Sequence, residues 1–454
     1  MTSQRLTLPE PEIELYKDGF DAKEKGVTDL GRKEDGKKLS DLVERITDPM
    51  VIAVDAPWGA GKSVFLKCWV GEHIKPEYKR NTTTVYFDAF QHDFLDDPLI
   101  ALTGVISERF EVENSQAGKW DKIKETAYRL RKPAARIGAA AITGGVSELT
   151  APVIDAVLDA TTAEFAKASE AFWEKEDGKR AAMQGFRDAL ENLAADQKLV
   201  IIVDELDRCR PDYALNLLEV IKHFFNVENV HFILGVNLTE LENSVRARYG
   251  AGVNASKYLQ KFYNVRMPLA LKTPVNSEEG SLYAYFEAQS DRLGLDHTQY
   301  RYALGIYFQA FSNIPNFSLR DTNAILTATM LALSLPKSDG DISECLSAGL
   351  IALRILDPKL YQTLGDRLFD GKEVSERILT SFGLIDMPSA LENSDIHKLR
   401  SIWNWALAGI NKPPPPEKAL RQKGVKGYIP QNGRTHLRQL MRERVNVFEF
   451  SSDD

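Results

Sequence analysis

The chain has 454 residues, more than one compact core usually holds, so a domain of roughly 200–250 residues with a smaller companion is expected. At 43% hydrophobic and 27% charged residues the composition is that of a folded globular protein, and a net charge of −8 excludes a global pull toward nucleic acid or anionic lipid, leaving only local basic patches for such contacts. Three widely separated cysteines, Cys68, Cys209 and Cys345, have neither disulfide-framework nor metal-ligand spacing and fit a reducing compartment.

The N-terminal stretch "MTSQRLTLPEPEIELYKDGF" has no apolar core and no basic leader, so no signal peptide is expected and a cytoplasmic location follows. Residues 1 to about 30 read as an extended arm, with Pro9 and Pro11 early. Over 33–46, Leu39, Leu42, Val43 and Ile46 fall at helical spacing and predict one apolar stripe facing a core. "MVIAVD" is a short apolar run of the kind found in strands buried on both faces, and "SVFLKCWVGEHI" returns to helical periodicity. Further strands are predicted at "TTTVYFDAF", at "QKLVIIVDELD" after the amphipathic "MQGFRDALENLAA", and at "NVHFILGVN". Buried strands alternating with helices predict a parallel α/β sheet.

An insertion of roughly 109–179 separates the second strand from the third. Its Ala-rich middle is interrupted by Glu148, Asp155 and Asp159, and no uncharged run reaches the roughly 20 residues a spanning helix needs. An amphipathic or helix-packing role is expected there, with membrane-surface contact as the alternative and no spanning segment. From about 271 the chain turns to helix after helix, and a proline run at 413–416 introduces a basic tail. The expected division is 1–270, 271–411 and 412–454.

The stretch "VIAVDAPWGAGKS" places a glycine-rich turn between strand and helix, as a phosphate cradle requires. In such a loop successive backbone N–H groups point inward and the helix presents its positive end to the phosphates. Gly59 and Gly61 hold the later positions, Lys62 is placed to reach the terminal phosphates, and Ser63 offers a hydroxyl to Mg2+. Ala56 stands where the motif expects its first glycine; its methyl is tolerable if φ stays negative, and Pro57 stiffens the turn. Trp58, Ala60 and Val64 complete the loop and its helix start. "LVIIVDELD" supplies the second half: Asp204 at the strand end for the Mg2+ shell and Glu205 to orient and deprotonate a water, which suits hydrolysis. Asn237 ends the next strand and either positions that water or serves as a turn residue. Arg208 and Arg210 follow the carboxylates, as charge stabilisers within the subunit or across an interface, or as structural partners of Glu205 and Asp207. In "FQHDFLDDP", His92 with Asp93, Asp96 and Asp97 reads as a helix cap rather than a metal cluster.

Together, "TDLGRKEDGKKLSDLV", "APWGAGKS", "VYFDAFQHDFLDDPLIALTGVI", "VIIVDELDRCRP", "FILGVN" and "KYLQKF" resemble the KAP family of P-loop NTPases, in the additional-strand, catalytic-glutamate division that also holds AAA and STAND ATPases. The resemblance covers about 28–268. It implies a P-loop NTPase fold, a parallel sheet flanked by helices, with an inserted helical segment and a C-terminal all-α domain. It also implies ATP with Mg2+, Lys62 and Ser63 on phosphates and metal, Asp204 on metal and Glu205 as base. The segment from Asp29 to Arg32 would lie beside the adenine, Arg208 would be the arginine that follows the carboxylates, and Lys261 would meet a neighbouring subunit or the nucleotide. "NFSLRDTNAIL" looks like the family's C-terminal arginine motif, giving Arg320 a sensor role toward the γ-phosphate. KAP proteins often carry membrane helices where the Ala-rich insertion falls, and its charges depart from that pattern.

Kinship further implies a homo-oligomeric, ATP-driven switch or motor acting in defence against phage and mobile elements. The effector would be a separate protein, since the chain carries no nuclease motif. The tail over 412–444 is rich in Lys and Arg, and nucleic-acid contact there or docking onto the acidic body are both open. A nucleic-acid-dependent ATPase and a nucleotide-binding scaffold with little turnover are the alternative functions.

Overall fold

The computed structural model describes residues 8–28, 30–95, 97–112, 176–224, 226–269, 281–295, 299–311, 314, 317–335, 341–365, 371–384, 394–408 and 429–447. Five strands, β1 (Met50–Asp55), β2 (Thr82–Asp88), β3 (Lys198–Asp204), β4 (Val230–Val236) and β5 (Val265–Pro268), form one sheet in the order β2-β3-β4-β1-β5. Every pairing is parallel. The valine- and isoleucine-rich runs behave as their composition predicts: β1 and β4 are buried at every position. β5 is a strand that the periodicity did not predict. Its four residues carry no continuous apolar run and lie largely exposed at the sheet edge, where pairing to β1 rather than burial selects them.

The register sets Asp88 opposite Asp204, Asp204 opposite Gly235, and Asp55 opposite Val236, so the strands finish level with their acidic residues along the C-terminal edge. Open α/β sheets bind ligands along that edge. At the other margin, β2 has a neighbour on one side only. Its free side is covered by side chains: the Tyr86 N–H donates to Tyr16 Oη (3.1 Å), Arg109 Nε donates to Thr84 O (3.0 Å), and the Arg109 guanidinium lies over the Tyr16 ring. An unpaired edge is thereby closed to another chain.

Among the described residues, eight helices surround the sheet: α1 (Arg32–Arg45), α2 (Lys62–His73), α3 (Ala89–His92), α4 (Pro98–Val112), α5 (Glu176–Ala194), α6 (Pro211–Lys222), α7 (Leu238–Tyr249) and α8 (Ala255–Leu259). The stripe predicted on α1 packs as expected, Leu39 and Val43 joining Phe65 and Trp69 of α2 and the arm residue Phe20 on one face of the sheet. On the other face Phe110 of α4, Phe186 and Leu190 of α5, Leu218 of α6 and Val245 of α7 form a second core. Of the insertion, only its margins in α4 and α5 are described; the Ala-rich middle with Glu148, Asp155 and Asp159 lies outside the described residues. No helix among the described residues is long and apolar enough to cross a membrane.

The remaining helices are α9 (Ser281–Leu293), α10 (Gln299–Phe311), α11 (Leu319–Leu333), α12 (Asp341–Leu356), α13 (Pro358–Thr363), α14 (Gly371–Ser381), α15 (Ser394–Leu407) and α16 (Gly433–Leu440). They enclose a third core around Phe286, Tyr307, Phe308, Leu353 and Trp403, which also takes Leu30 from the arm. In the described part of the basic tail two arginines are spent on helix ends. Arg434 donates to Leu407 O at the end of α15 (3.2 Å from Nη2), and the buried Arg444 donates to Ala332 O near the end of α11 (3.2 Å). Carbonyls at a helix C-terminus lack intrahelical partners and favour such cations.

The same physics ends α1, where Lys198 Nζ donates to Val43 O (2.8 Å), Glu44 O (2.6 Å) and Ile46 O (2.8 Å). His231, fully buried in β4, feels this ammonium; burial first and then Lys198 push its imidazole down to about 4, against Glu44. An unfolded histidine binds its proton near 6.5. The unfolded state therefore takes up the proton first on acidification, and stability falls by up to about 3 kcal/mol between pH 6.5 and 4. Urea unfolding at stepped pH is expected to show this loss, and His231→Leu to flatten it. An equally steep profile in the variant would assign the loss to other groups.

Candidate nucleotide site

The loop at 56–63 leaves β1 and enters α2. The Ala56 N–H donates to Val236 O (3.2 Å), extending the ladder between β1 and β4, and Ala56 is not among the residues with positive φ. Its methyl therefore sits where an L-residue is at ease. The left-handed positions are Gly59 (φ 77°) and Gly61 (φ 82°), where only glycine is unstrained. Lys62 is 8% exposed and donates to Ala56 O (2.8 Å). Burial lowers its pKa, and the carboxylates of Asp207, Asp204 and Asp55 oppose that shift.

Three consecutive loop residues are each gripped by a different element. The Trp58 indole N–H donates to Asp207, Gly59 O accepts the Leu319 N–H at the start of α11 (3.1 Å), and Ala60 O accepts from Arg32 Nη2 at the start of α1 (3.1 Å). Arg32 is thus buried against the loop backbone, with burial holding its guanidinium down to about 10. Its role in the described contacts is to brace the loop. Asp29 lies outside the described residues. Val64 is partly buried against the core of the α2 face.

Asp204 ends β3 with no exposed surface. Its Oδ1 accepts the Glu205 N–H (2.9 Å) and its Oδ2 the Tyr86 hydroxyl (2.6 Å), while burial pushes its carboxyl upward. Between β3 and the loop strand runs β4, and Gly235 there makes room: a Cβ on it would lie 2.4 Å from both Asp204 Oδ1 and Leu66 Cδ1. Gly235→Ala is expected to lose about 1–3 kcal/mol by overpacking and to displace Asp204. A thermal melt beside a hydrolysis assay checks this; an unchanged melt would mean that the contact relaxes freely.

Glu205 occupies the left-handed region (φ 58°, ψ 27°), which costs a non-glycine residue about 1–3 kcal/mol and clusters at functional sites. Its carboxylate accepts from Ser63 Oγ (3.2 Å) and pairs with Arg208 Nη2 (3.1 Å). Burial raises its pKa, Arg208 opposing, so it is a stronger base than a free glutamate. Arg208 thereby takes the structural partnership with Glu205, and Arg210 meets Asp93 instead (3.1 Å from its N–H to Oδ2).

Asn237 is buried at the start of α7 and makes no side-chain cap hydrogen bond. The neighbouring Leu238 N–H goes to Asp55 Oδ1 (2.9 Å), and Asp55 Oδ2 accepts from Arg266 Nε of β5 (2.8 Å). The Arg320 Cβ would stand 2.8 Å from a Cβ on Gly59, so this exposed arginine leaves α11 directly over the loop. The Lys261 ammonium lies over the Tyr258 ring. Two residues before "FQHDFLDDP", Asp88 caps α3 through the Gln91 N–H, and within that stretch Asp97 receives the Leu99 N–H at the start of α4. No group of three or more His, Cys, Asp or Glu residues among the described residues is placed to hold a metal ion. The donor set of the cradle, Ser63 Oγ with the Asp204 carboxylate, is all oxygen, as Mg2+ prefers, and fits a cation whose other ligands are phosphate and water.

The KAP family P-loop domain matches residues 35–330 of this chain. The chain belongs to the KAP family. As such it is an ATP-binding P-loop NTPase, of a class that hydrolyses nucleotides. A comparison with curated proteins finds no match. Among solved structures it is similar to the ORC2 protein of Aeropyrum pernix in its ADP form (12% identity over 86% of this chain and 83% of that one, TM-score 0.35). The ADPNP-ADP complexes of that protein match at 10% identity over 90% and 94% of the chains (TM-score 0.36). The ORC1 protein of the same organism in complex with DNA matches at 10% over 91% and 92% (TM-score 0.27).

In this KAP chain the sequence motifs supplied Lys62, Ser63, Asp204 and Glu205, which the fold brings together. Tyr86 and Gly235 were missed. Tyr86 reads as one apolar strand residue among several, and Gly235 as a weak spot in a strand; their meaning appears only when β2 and β4 flank β3.

Proposed function

We propose that the chain is a Mg2+-dependent ATPase in which Glu205 orients and deprotonates the attacking water. The observation that carries this reading is the meeting of Glu205 and Ser63 across 3.2 Å beside the buried Asp204. Ser63 and Asp204 would hold Mg2+, which neutralises charge on the terminal phosphates when bound. Lys62 and the inward N–H groups of the loop bind the phosphates. Asn237, buried and uncommitted to its helix, aligns the water, and Arg320 above Gly59 senses the γ-phosphate. Ser63 and Arg208 both meet Glu205 at Oε1, and neither contact engages Oε2, which is the oxygen left to take the proton. Release of inorganic phosphate from ATP with and without Mg2+ tests the reading; no release in either case would leave a nucleotide-binding scaffold.

At the next level we place the chain as a homo-oligomeric switch or motor in bacterial anti-phage defence, driving a separate effector. Kinship and the direct contact between loop and α11 support this, because the Leu319 N–H donates to Gly59 O and so ties the start of α11 to the loop. Phage plating on cells carrying the chain with its gene neighbours, wild type against Lys62→Ala, tests the role. Equal plating would remove it. The nucleic-acid-dependent alternative draws little support from the described tail, where Arg434 and Arg444 serve helix ends.

A further inference from the structure

Two side-chain hydrogen bonds join the phosphate loop to the turn after β3, and the proposed hydrolysis uses only one, from Ser63 to Glu205. The other runs from the Trp58 indole N–H to Asp207 Oδ2. Asp207 is 8% exposed, and its Oδ1 is buried without a hydrogen-bond partner among the described residues; Trp58 is 42% exposed. A buried carboxylate beside an anion-binding cradle repels the ligand the cradle receives, and burying it is costly unless donors or cations surround it. Here the indole is its donor. Among the carboxylates that favour the charged form of Lys62, Asp207 comes first. The other two grips on the loop hold backbone carbonyls, which any residue would present, whereas this one depends on the side chain at position 58.

We propose that Asp207 is a positioning residue of the nucleotide site, which fixes the crown of the phosphate loop in its cradle form by holding the Trp58 indole. This rests on the cradle being an ATP site. Trp58 precedes Gly59, whose conformational freedom leaves the crown with few restraints of its own. A loop ordered in advance does not lose that freedom when the ligand arrives, so the effect falls on affinity.

The test is a double-mutant cycle on the full chain, with ATP binding in Mg2+ measured by calorimetry and kcat measured alongside. Trp58→Phe and Asp207→Ala are each expected to weaken ATP binding about tenfold, the size of one hydrogen bond to a charged group. The double variant should bind no worse than the weaker single one, since both remove the same contact. Asp207→Asn keeps an oxygen acceptor and should stay within about threefold of wild type, with kcat falling less than affinity throughout. Nucleotide should also change the tryptophan emission of the wild type by an amount missing from Trp58→Phe. Wild-type affinity in Trp58→Phe, or losses that multiply in the double variant, would overturn the proposal. Trp58 is exposed rather than part of the core, so Trp58→Phe with Asp207→Asn decides the matter even if Asp207→Ala does not fold. If the wild type itself binds no ATP, the reading of the site falls; if it binds and the variants match it, only the positioning role falls.

Discussion

Lys62→Ala is expected to abolish the rise in melting temperature that ATP gives the wild type, with Kd raised about 10²-fold or more. Lys62 is a buried cation of the loop facing the carboxylates of Asp55, Asp204 and Asp207, and it opposes their field. Removing it takes away a charge-assisted contact to phosphate and leaves those carboxylates to repel the incoming anion. A thermal-shift titration with ATP and Mg2+ measures this. The nucleotide-free variant should still fold, because the side chain's single described hydrogen bond goes to Ala56 O. A wild-type shift in Lys62→Ala would mean that the phosphates bind elsewhere.

Glu205→Gln is expected to bind ATP within a few-fold of wild type and to turn it over about 10²–10⁴-fold more slowly. The amide keeps the size of the side chain and an oxygen to accept from Ser63, so the cradle retains its shape. It cannot take the proton from water. Loss of affinity together with turnover would instead give Glu205 a mainly structural part, through Arg208 or the left-handed turn it occupies.

Much of this site was legible in the sequence because its parts are local. β1 and β3 announce themselves as unbroken apolar runs, each with its functional residues just past the end, and the spacing of Gly59, Gly61, Lys62 and Ser63 is a property of one loop. What escaped depends on neighbours far along the chain. The importance of Gly235 comes from β4 lying between β1 and β3, so that the Asp204 carboxylate and Leu66 both occupy the space a side chain there would need. Tyr86 acquires its bond to Asp204 only through the register of β2 with β3. β5 was unreadable because edge pairing, not periodicity, creates it. At Ala56 the deciding factor is backbone geometry: the positive φ falls on Gly59 and Gly61, and Ala56 carries on the ladder of its strand.

If ATP bound at Lys62 is cleaved through Glu205, single-turnover hydrolysis of γ-labelled ATP with Mg2+ separates the wild type from Glu205→Gln. The wild type should release labelled phosphate while Glu205→Gln retains intact ATP on the protein. Equal phosphate release from both would remove Glu205 as the base.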